Sequence, residues 1–287
     1  MSAESHAAAR VRLAAAAASD AAARWAQVDP DNIGRTWTAQ IPATLTVVSA
    51  SQLAAAGSAE DYLDEFAEPA DMEVDPHAYA GVASDGGSLA SLLYQPAIGA
   101  LMAIGSGVSV DRAMAGGRAT LDTIVRTQVA DAGRAADQAA LTARPAVTGY
   151  VRQIVGNTCS RCVILAGRFY RWNAGFQRHP RCDCVHVPAT RAQWREQGRF
   201  HDAREVYDQL SVAERQRAGW SLADQQAIAE GADLTFVTNM KGVTTAGTRR
   251  SAGRMTTDQI YRRAAGNRDE AIALLRQNGY LRGAPVL

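Results

Sequence analysis

All four cysteines of this 287-residue chain stand close together, as Cys159-Ser-Arg-Cys162 and then His179-Pro-Arg-Cys182-Asp-Cys184. The chemistry such a group does best is metal ligation. Structural zinc takes four Cys or His ligands in a tetrahedron, and a Cys-x-x-Cys turn delivers two thiolates from one knuckle. In an extended segment Cys182 and Cys184 would share a face, while His179 would reach in from the turn before Pro180. Five candidates exceed four places. The spacing therefore reads as one structural zinc ion per chain, held by Cys159, Cys162 and two of His179, Cys182 and Cys184, with the fifth in a supporting position. Buried reduced thiols or a disulfide are the competing readings. A secreted disulfide framework would spread its cysteines more widely, and the opening Met-Ser-Ala-Glu-Ser-His lacks a charged segment followed by an apolar one. A reducing compartment follows.

Arginine surrounds the cysteines. Residues 1–150 carry 9 Arg against 17 Asp and Glu, a net charge of −8, whereas residues 151–287 carry 21 Lys and Arg against 12 acids, a net of +9. A polyanion would meet the second half. Arg161, Arg168, Arg171, Arg178 and Arg181, with Arg152, Arg191, Arg195 and Arg199 nearby, alternate with Tyr170, Trp172, Phe176 and Trp194. That mixture can grip phosphates and stack on bases. It can equally be a small core of aromatics with a solvated or acid-paired arginine surface.

Catalysis is the rival class. Cys182 beside His179 or His186 could form a nucleophile and base, but a thiolate committed to zinc is a poor nucleophile. No His-Glu-x-x-His, Gly-x-Ser-x-Gly or Walker loop occurs. No enzyme activity is expected. His6, His77 and His201 read as ordinary surface or core residues, and Asp61, Asp64, Glu65 and Glu68 as a solvated helical face.

The elements that must position these residues are mostly helical. Residues 4–27 form an Ala/Arg helix with Trp25 packing inward. Apolar spacing predicts helices over 32–40 and 45–66, split near Pro42. A loop covers 67–87, with a short strand near Tyr79. Leu89–Val108 is long enough to span a bilayer, yet Gln95, Pro96, Gly99, Gly105 and Gly107 favour a buried helix pair broken at Pro96. Helices follow over 110–116 and 118–141, with Leu121, Ile124, Val125, Val129 and Ala136 on one face. A strand over 151–155, a hairpin over 163–172 around Ala166-Gly167 and a strand over 185–187 stopped by Pro188 come next. Short helices then cover 190–197, 202–210, 212–220 and 222–230. The Thr/Gly-rich run 231–253 reads as mobile, and helices over 257–265 and 268–278 end the pattern. The terminal pair, with Arg262, Arg263 and Arg268, could be a helix-turn-helix or a partner-docking tail.

The fold class is α+β and predominantly α-helical. A helical N-terminal domain spans 1–144, a zinc-stapled β-hairpin module with short helices spans 145–230, and 231–287 holds the Thr/Gly-rich segment and the last helix pair. The zinc is expected to hold together a module with too few strands to fold alone.

Cys159-x-x-Cys162, Leu165-Ala-Gly167, Tyr170, Phe176 and His179-Pro-x-Cys182-Asp-Cys184 resemble the cysteine/histidine core of the Mu F-like minor head (head morphogenesis) proteins of tailed bacteriophages. The segments Thr127–Arg134 and Thr257–Tyr280 are similar to the actinobacteriophage members. The resemblance implies a minor capsid protein of the virion, bound near the portal vertex inside the procapsid, made in the host cytoplasm and present in few copies. It implies the portal and other capsid or scaffold proteins as partners, with double-stranded DNA a further candidate and no membrane. Carried to this sequence, it matches the cysteines and His179 and supplies no catalytic residue. The alternatives are a capsid maturation protease, since such genes neighbour this family, and a zinc-dependent DNA-binding protein.

Overall fold

A computed structural model describes residues 2–68, 70, 72–155, 159–174, 184–196, 202–245 and 255–281. Two compact units divide the chain, the first from residues up to 155 together with 169–197, the second from 156–168 together with 198–287. The units are not consecutive in sequence, whereas the residue pattern suggested three consecutive segments.

The first unit is built on long antiparallel helices. α1 (Ala3–Trp25) turns its alanine face inward along Ala14, Ala17, Ala18 and Ala21. Small side chains let neighbouring helix axes approach closely, so this helix packs intimately with little apolar bulk. α2 (Ile33–Gly57) buries Ile33, Trp37, Ile41, Val48 and Ala55 at helical spacing. The expected split at Pro42 does not occur, because the helix runs through the proline. Pro42 and Thr38 both lie on the exposed face, so the Thr38 carbonyl that loses its amide partner can turn to water. α3 (Ala59–Leu63) follows, then a 3-10 turn over Pro76–Tyr79 in place of the strand expected near Tyr79.

α4 (Leu89–Leu92) and α5 (Gln95–Gly105) form the broken pair, with Pro96 in the first turn of α5, where a missing amide costs nothing. The pair is not wholly buried: Ile98 is 43%, Leu101 47% and Met102 70% exposed. α6 (Val110–Thr142) is one helix rather than two. Gly116-Gly117 is a notch, not a break, since a Cβ on Gly117 would stand 2.4 Å from the Trp25 ring. Leu121, Val125, Val129 and Ala136 are buried along its expected face. Trp25 meets Trp37 edge to face at 5.0 Å, and their indoles donate to the carbonyls of Met114 and Leu93 at 3.0 and 2.7 Å. These apolar anchors are satisfied at their polar ends as well.

A three-stranded antiparallel sheet completes this unit: β1 (Gly149–Gln153) lies between β2 (Phe169–Arg171) and β3 (Val185–Ala189). Tyr150 pairs with Tyr170 on one side and with Pro188 on the other. Two expectations change here. Residues 163–172 are not a hairpin, because β2 pairs with β1, and Pro188 does not stop β3, which is an edge strand where a missing donor is tolerated. β3 packs against α1 and α6, and the Tyr62 hydroxyl donates to the His186 carbonyl at 2.7 Å. The sheet thus draws its core from the helices and is not shown to be a metal-stapled module.

The second unit contains α7 (Ser160–Val163) with the helices of the C-terminal part. α8 (Arg191–Glu196) belongs to the first unit, and α9 (Ala203–Gln209), α10 (Val212–Ala218), α11 (Leu222–Ala229), α12 (Leu234–Thr245), α13 (Thr257–Ala264) and α14 (Arg268–Gln277) to the second. Asp202, Ser211, Ser221 and Thr256 each start a helix with a reciprocal capping box. Trp220 meets Tyr207 edge to face at 5.0 Å and donates to the Thr238 hydroxyl at 3.0 Å. Residues 234–245, expected to be mobile, are helical, because Leu234 and Val237 find this core.

Candidate functional site

The first cysteine pair is a formed knuckle. Cys159 takes the N-cap position of α7, and its carbonyl accepts from the amides of Cys162 at 2.9 Å and Val163 at 3.1 Å. Cys162 is buried and Cys159 half-buried, within a unit where α7 packs on α9 and α12. Two thiols presented three residues apart from one short turn have the spacing that a zinc knuckle uses.

Cys184 belongs to the first unit. It immediately precedes β3 in the first unit, is buried, and borders a cavity of 340 Å³ between α1 and α6. His179 and Cys182 lie outside the described residues, as do Arg178 and Arg181. Among the described residues no group of three or more His, Cys, Asp or Glu side chains is arranged to hold a metal. The knuckle fits the chemistry of a zinc half-site, and any completing pair must draw on His179, Cys182 or Cys184.

Of the arginines expected to meet nucleic acid, Arg161, Arg168 and Arg171 are exposed. Arg152 is not available, being 1% exposed within the central strand β1. Tyr170 stacks on Tyr150 at 5.4 Å and Phe169 packs near Trp194 at 5.9 Å, so these rings serve the sheet. Trp172 is 46% exposed. The α13–α14 pair exposes both signs of charge at its junction, Arg262, Arg263 and Arg268 beside Asp269 and Glu270.

The most organised polar chemistry lies where the sequence drew no attention. Arg10 on α1 clasps Asp137 on α6 with both terminal nitrogens, one at 2.7 Å, and also donates to the Ala55 carbonyl at 3.0 Å. His6 lies 3.4 Å from the same carboxylate and stacks on Tyr62 with ring centroids 3.9 Å apart. All four side chains are buried. Burial alone would raise the Asp137 pKa, but the Arg10 charge and the hydrogen bonds from His6 and Arg10 outweigh it and hold the carboxyl far below the usual aspartate range. Burial first, and the Asp137 charge next, push the Tyr62 hydroxyl far above its ordinary value, so it stays a donor. The available signal was the spacing on α1, where His6 and Arg10 continue the buried face of Ala14, Ala17, Ala21 and Trp25. His186, considered above as a catalytic base, packs its ring on Tyr150 at 4.3 Å.

Residues 1–213 match the model of the VG15 protein family. The chain belongs to that family. VG15 proteins are phage proteins, so the resemblance to a phage protein holds at that level, while the match is not specifically to Mu F-like head proteins. It covers the whole helical unit, the sheet and the Cys159–Cys162 knuckle. No curated protein and no solved structure matches this VG15 chain.

Proposed function

We propose that this VG15 chain is a structural minor component of the phage head, seated near the portal inside the procapsid, with its Cys159–Cys162 knuckle forming half of one structural zinc site. The observation that carries the reading is the family match over residues 1–213, which spans the cysteine/histidine segment similar to head morphogenesis proteins. The surface of α5 supports it. From Leu89 to Val110 no residue is charged, and Ile98, Leu101 and Met102 lie open to solvent, as suits a helix that docks on protein.

The test is deletion of the gene in its phage. Loss of normal heads by electron microscopy, and the protein's presence in purified wild-type procapsids by mass spectrometry, are the expected results. Normal infectious heads from the deletion, or procapsids free of the protein, would remove the reading.

Exposed Arg161, Arg168 and Arg171, with Trp172 open beside the last, favour contact with packaged double-stranded DNA as an accompanying role. Charge reversal at Arg168 and Arg171 should weaken duplex binding and flatten its salt dependence, because a protein that neutralises fewer phosphates releases fewer counterions. Unchanged retention of duplex by that variant would discard the DNA role without touching the capsid role.

A further inference from the structure

α5 is apolar on two sides. Pro96, Ala97 and Ala100 are buried where the helix packs on α2 and α6, while Tyr94, Ile98, Leu101 and Met102 stand 38–70% exposed on the opposite side. The exposed four fall at the i, i+4, i+7 and i+8 positions of one helical stripe, and exposed Gly105 continues it. A surface helix ordinarily turns charge to water, yet no residue from Leu89 to Val110 is charged. Gly99 and Gly105 add open space, since a Cβ on either would meet no described atom within 4 Å. Glycine weakens a helix interior, and nothing among the described residues packs into the hollows these two leave.

The stripe is shaped to face itself. Its midpoint falls between Leu101 and Met102, with Ile98 and Gly105 equally far to either side. In an antiparallel pairing about a two-fold axis at that midpoint, Ile98 of one copy lies over Gly105 of the other. Leu101 meets Met102, and Tyr94 reaches the turn at Ser106-Gly107. Bulk meets hollow at both ends, because a two-fold repeats every contact. A charge near such an axis would meet its own copy, a repulsion that an uncharged stripe avoids. The two helix dipoles also run antiparallel. A basic or acidic partner would find no opposite charge here. We propose that the exposed side of α5 is the two-fold contact of a homodimer, which deepens the protein-docking role given to α5 above by naming a second copy of the chain as the partner. Stable interfaces bury about 800 Å² on each partner, more than one side of an eleven-residue helix offers. The dimer is therefore weak and forms where copies are concentrated.

The test is sedimentation equilibrium of the full chain from about 1 to 100 μM. A reversible monomer–dimer equilibrium with a Kd on the order of 10 μM is expected. Met102→Glu and Met102→Lys each place like charges beside the axis and should weaken the dimer more than about tenfold. Mixing the two should restore it as a heterodimer, which a pair of misfolded proteins could not do. Leu222→Glu, at a 60% exposed position on α11 of the second unit, should leave the equilibrium as it is. A monomer at every concentration would overturn the inference and give the α5 face to another protein of the head. Dimers indifferent to both Met102 variants, assemblies that grow beyond two copies, or no association on mixing the variants would also overturn it. None of these results bears on the gene deletion, so the dimer and the capsid role fail separately.

Discussion

Arg10 reaches Asp137 by passing over Gly133, where a Cβ would stand 2.5 Å from the Arg10 Nε and 3.1 Å from the Ala55 carbonyl. The ion pair joins α1 to α6 only because residue 133 has no side chain. Gly133→Ala should therefore destabilise the first unit although alanine is the better helix former. Overpacking of this kind costs about 1–3 kcal/mol, against a helix gain of about 1 kcal/mol. Arg10→Met should cost more, about 3–5 kcal/mol, by leaving the Asp137 carboxylate buried without its cation. Combining it with Asp137→Leu should recover most of that loss. Urea unfolding of the wild type, Gly133→Ala, Arg10→Met, Asp137→Leu and the double variant checks this, and simple additivity of the Arg10 and Asp137 substitutions would contradict it.

The same pair sets an acid limit on stability. Asp137 binds its proton more weakly in the folded protein than an ordinary aspartate of pKa about 3.9. Its contribution is thus complete above that value and drains away as pH falls from about 5 toward the lower folded-state value. Over that interval wild-type stability should fall more steeply than that of Asp137→Asn, by up to about 1.4 kcal/mol per pH unit at the limit of one proton. The comparison is of slopes, since the variant is weaker at every pH. Parallel curves from pH 5 to 2 would place the acid sensitivity elsewhere.

Pro42 offers the opposite kind of change. It sits inside α2 on an exposed face, and no described hydrogen bond fills the place of its missing amide. An interior proline costs about 3 kcal/mol relative to alanine, and a position on the exposed face, where the Thr38 carbonyl can turn to solvent, lowers that cost. Pro42→Ala should raise the urea midpoint by an amount worth about 1–3 kcal/mol, with an unchanged denaturant slope. An unaltered midpoint would mean that tertiary packing, not local hydrogen bonding, sets the stability of this helix.

What could be read from the sequence followed the strength of local signals. The long amphipathic face of α6, the short capped helices α9–α11 and the terminal pair were legible because apolar spacing and Ser, Thr or Asp caps agree. Pro42 and Gly116-Gly117 misled for one reason: each is unfavourable locally and accommodated by its surroundings, an exposed helix face in one case and the Trp25 ring in the other. The sheet partners of β1 were hidden because β2 and β3 are short and far apart in sequence. The Arg10–Asp137 pair was hidden because 127 residues separate its members and the alanine face of α1 gives little contrast. Among the described residues of the cysteine group, the local Cys159–Cys162 turn is visible in both sequence and structure, since its geometry depends on four consecutive residues.

The last prediction concerns which of the cysteines hold metal. Cys159 and Cys162 share one turn of the second unit, whereas Cys184 borders the α1–α6 cavity of the first. If one zinc ion is held by the knuckle with His179 and Cys182, Cys184 is the spare thiol. Elemental analysis of purified protein should then give about one zinc per chain in the wild type and in Cys184→Ser, and none in Cys159→Ser or Cys162→Ser. Chelation should expose the chain around residue 160 to protease while α1, α2 and α6, whose cores are apolar, resist. Zinc lost from Cys184→Ser would make that thiol a ligand after all. A wild-type protein without metal would return all four cysteines to redox or nucleophile chemistry and make the protease alternative the next reading to test.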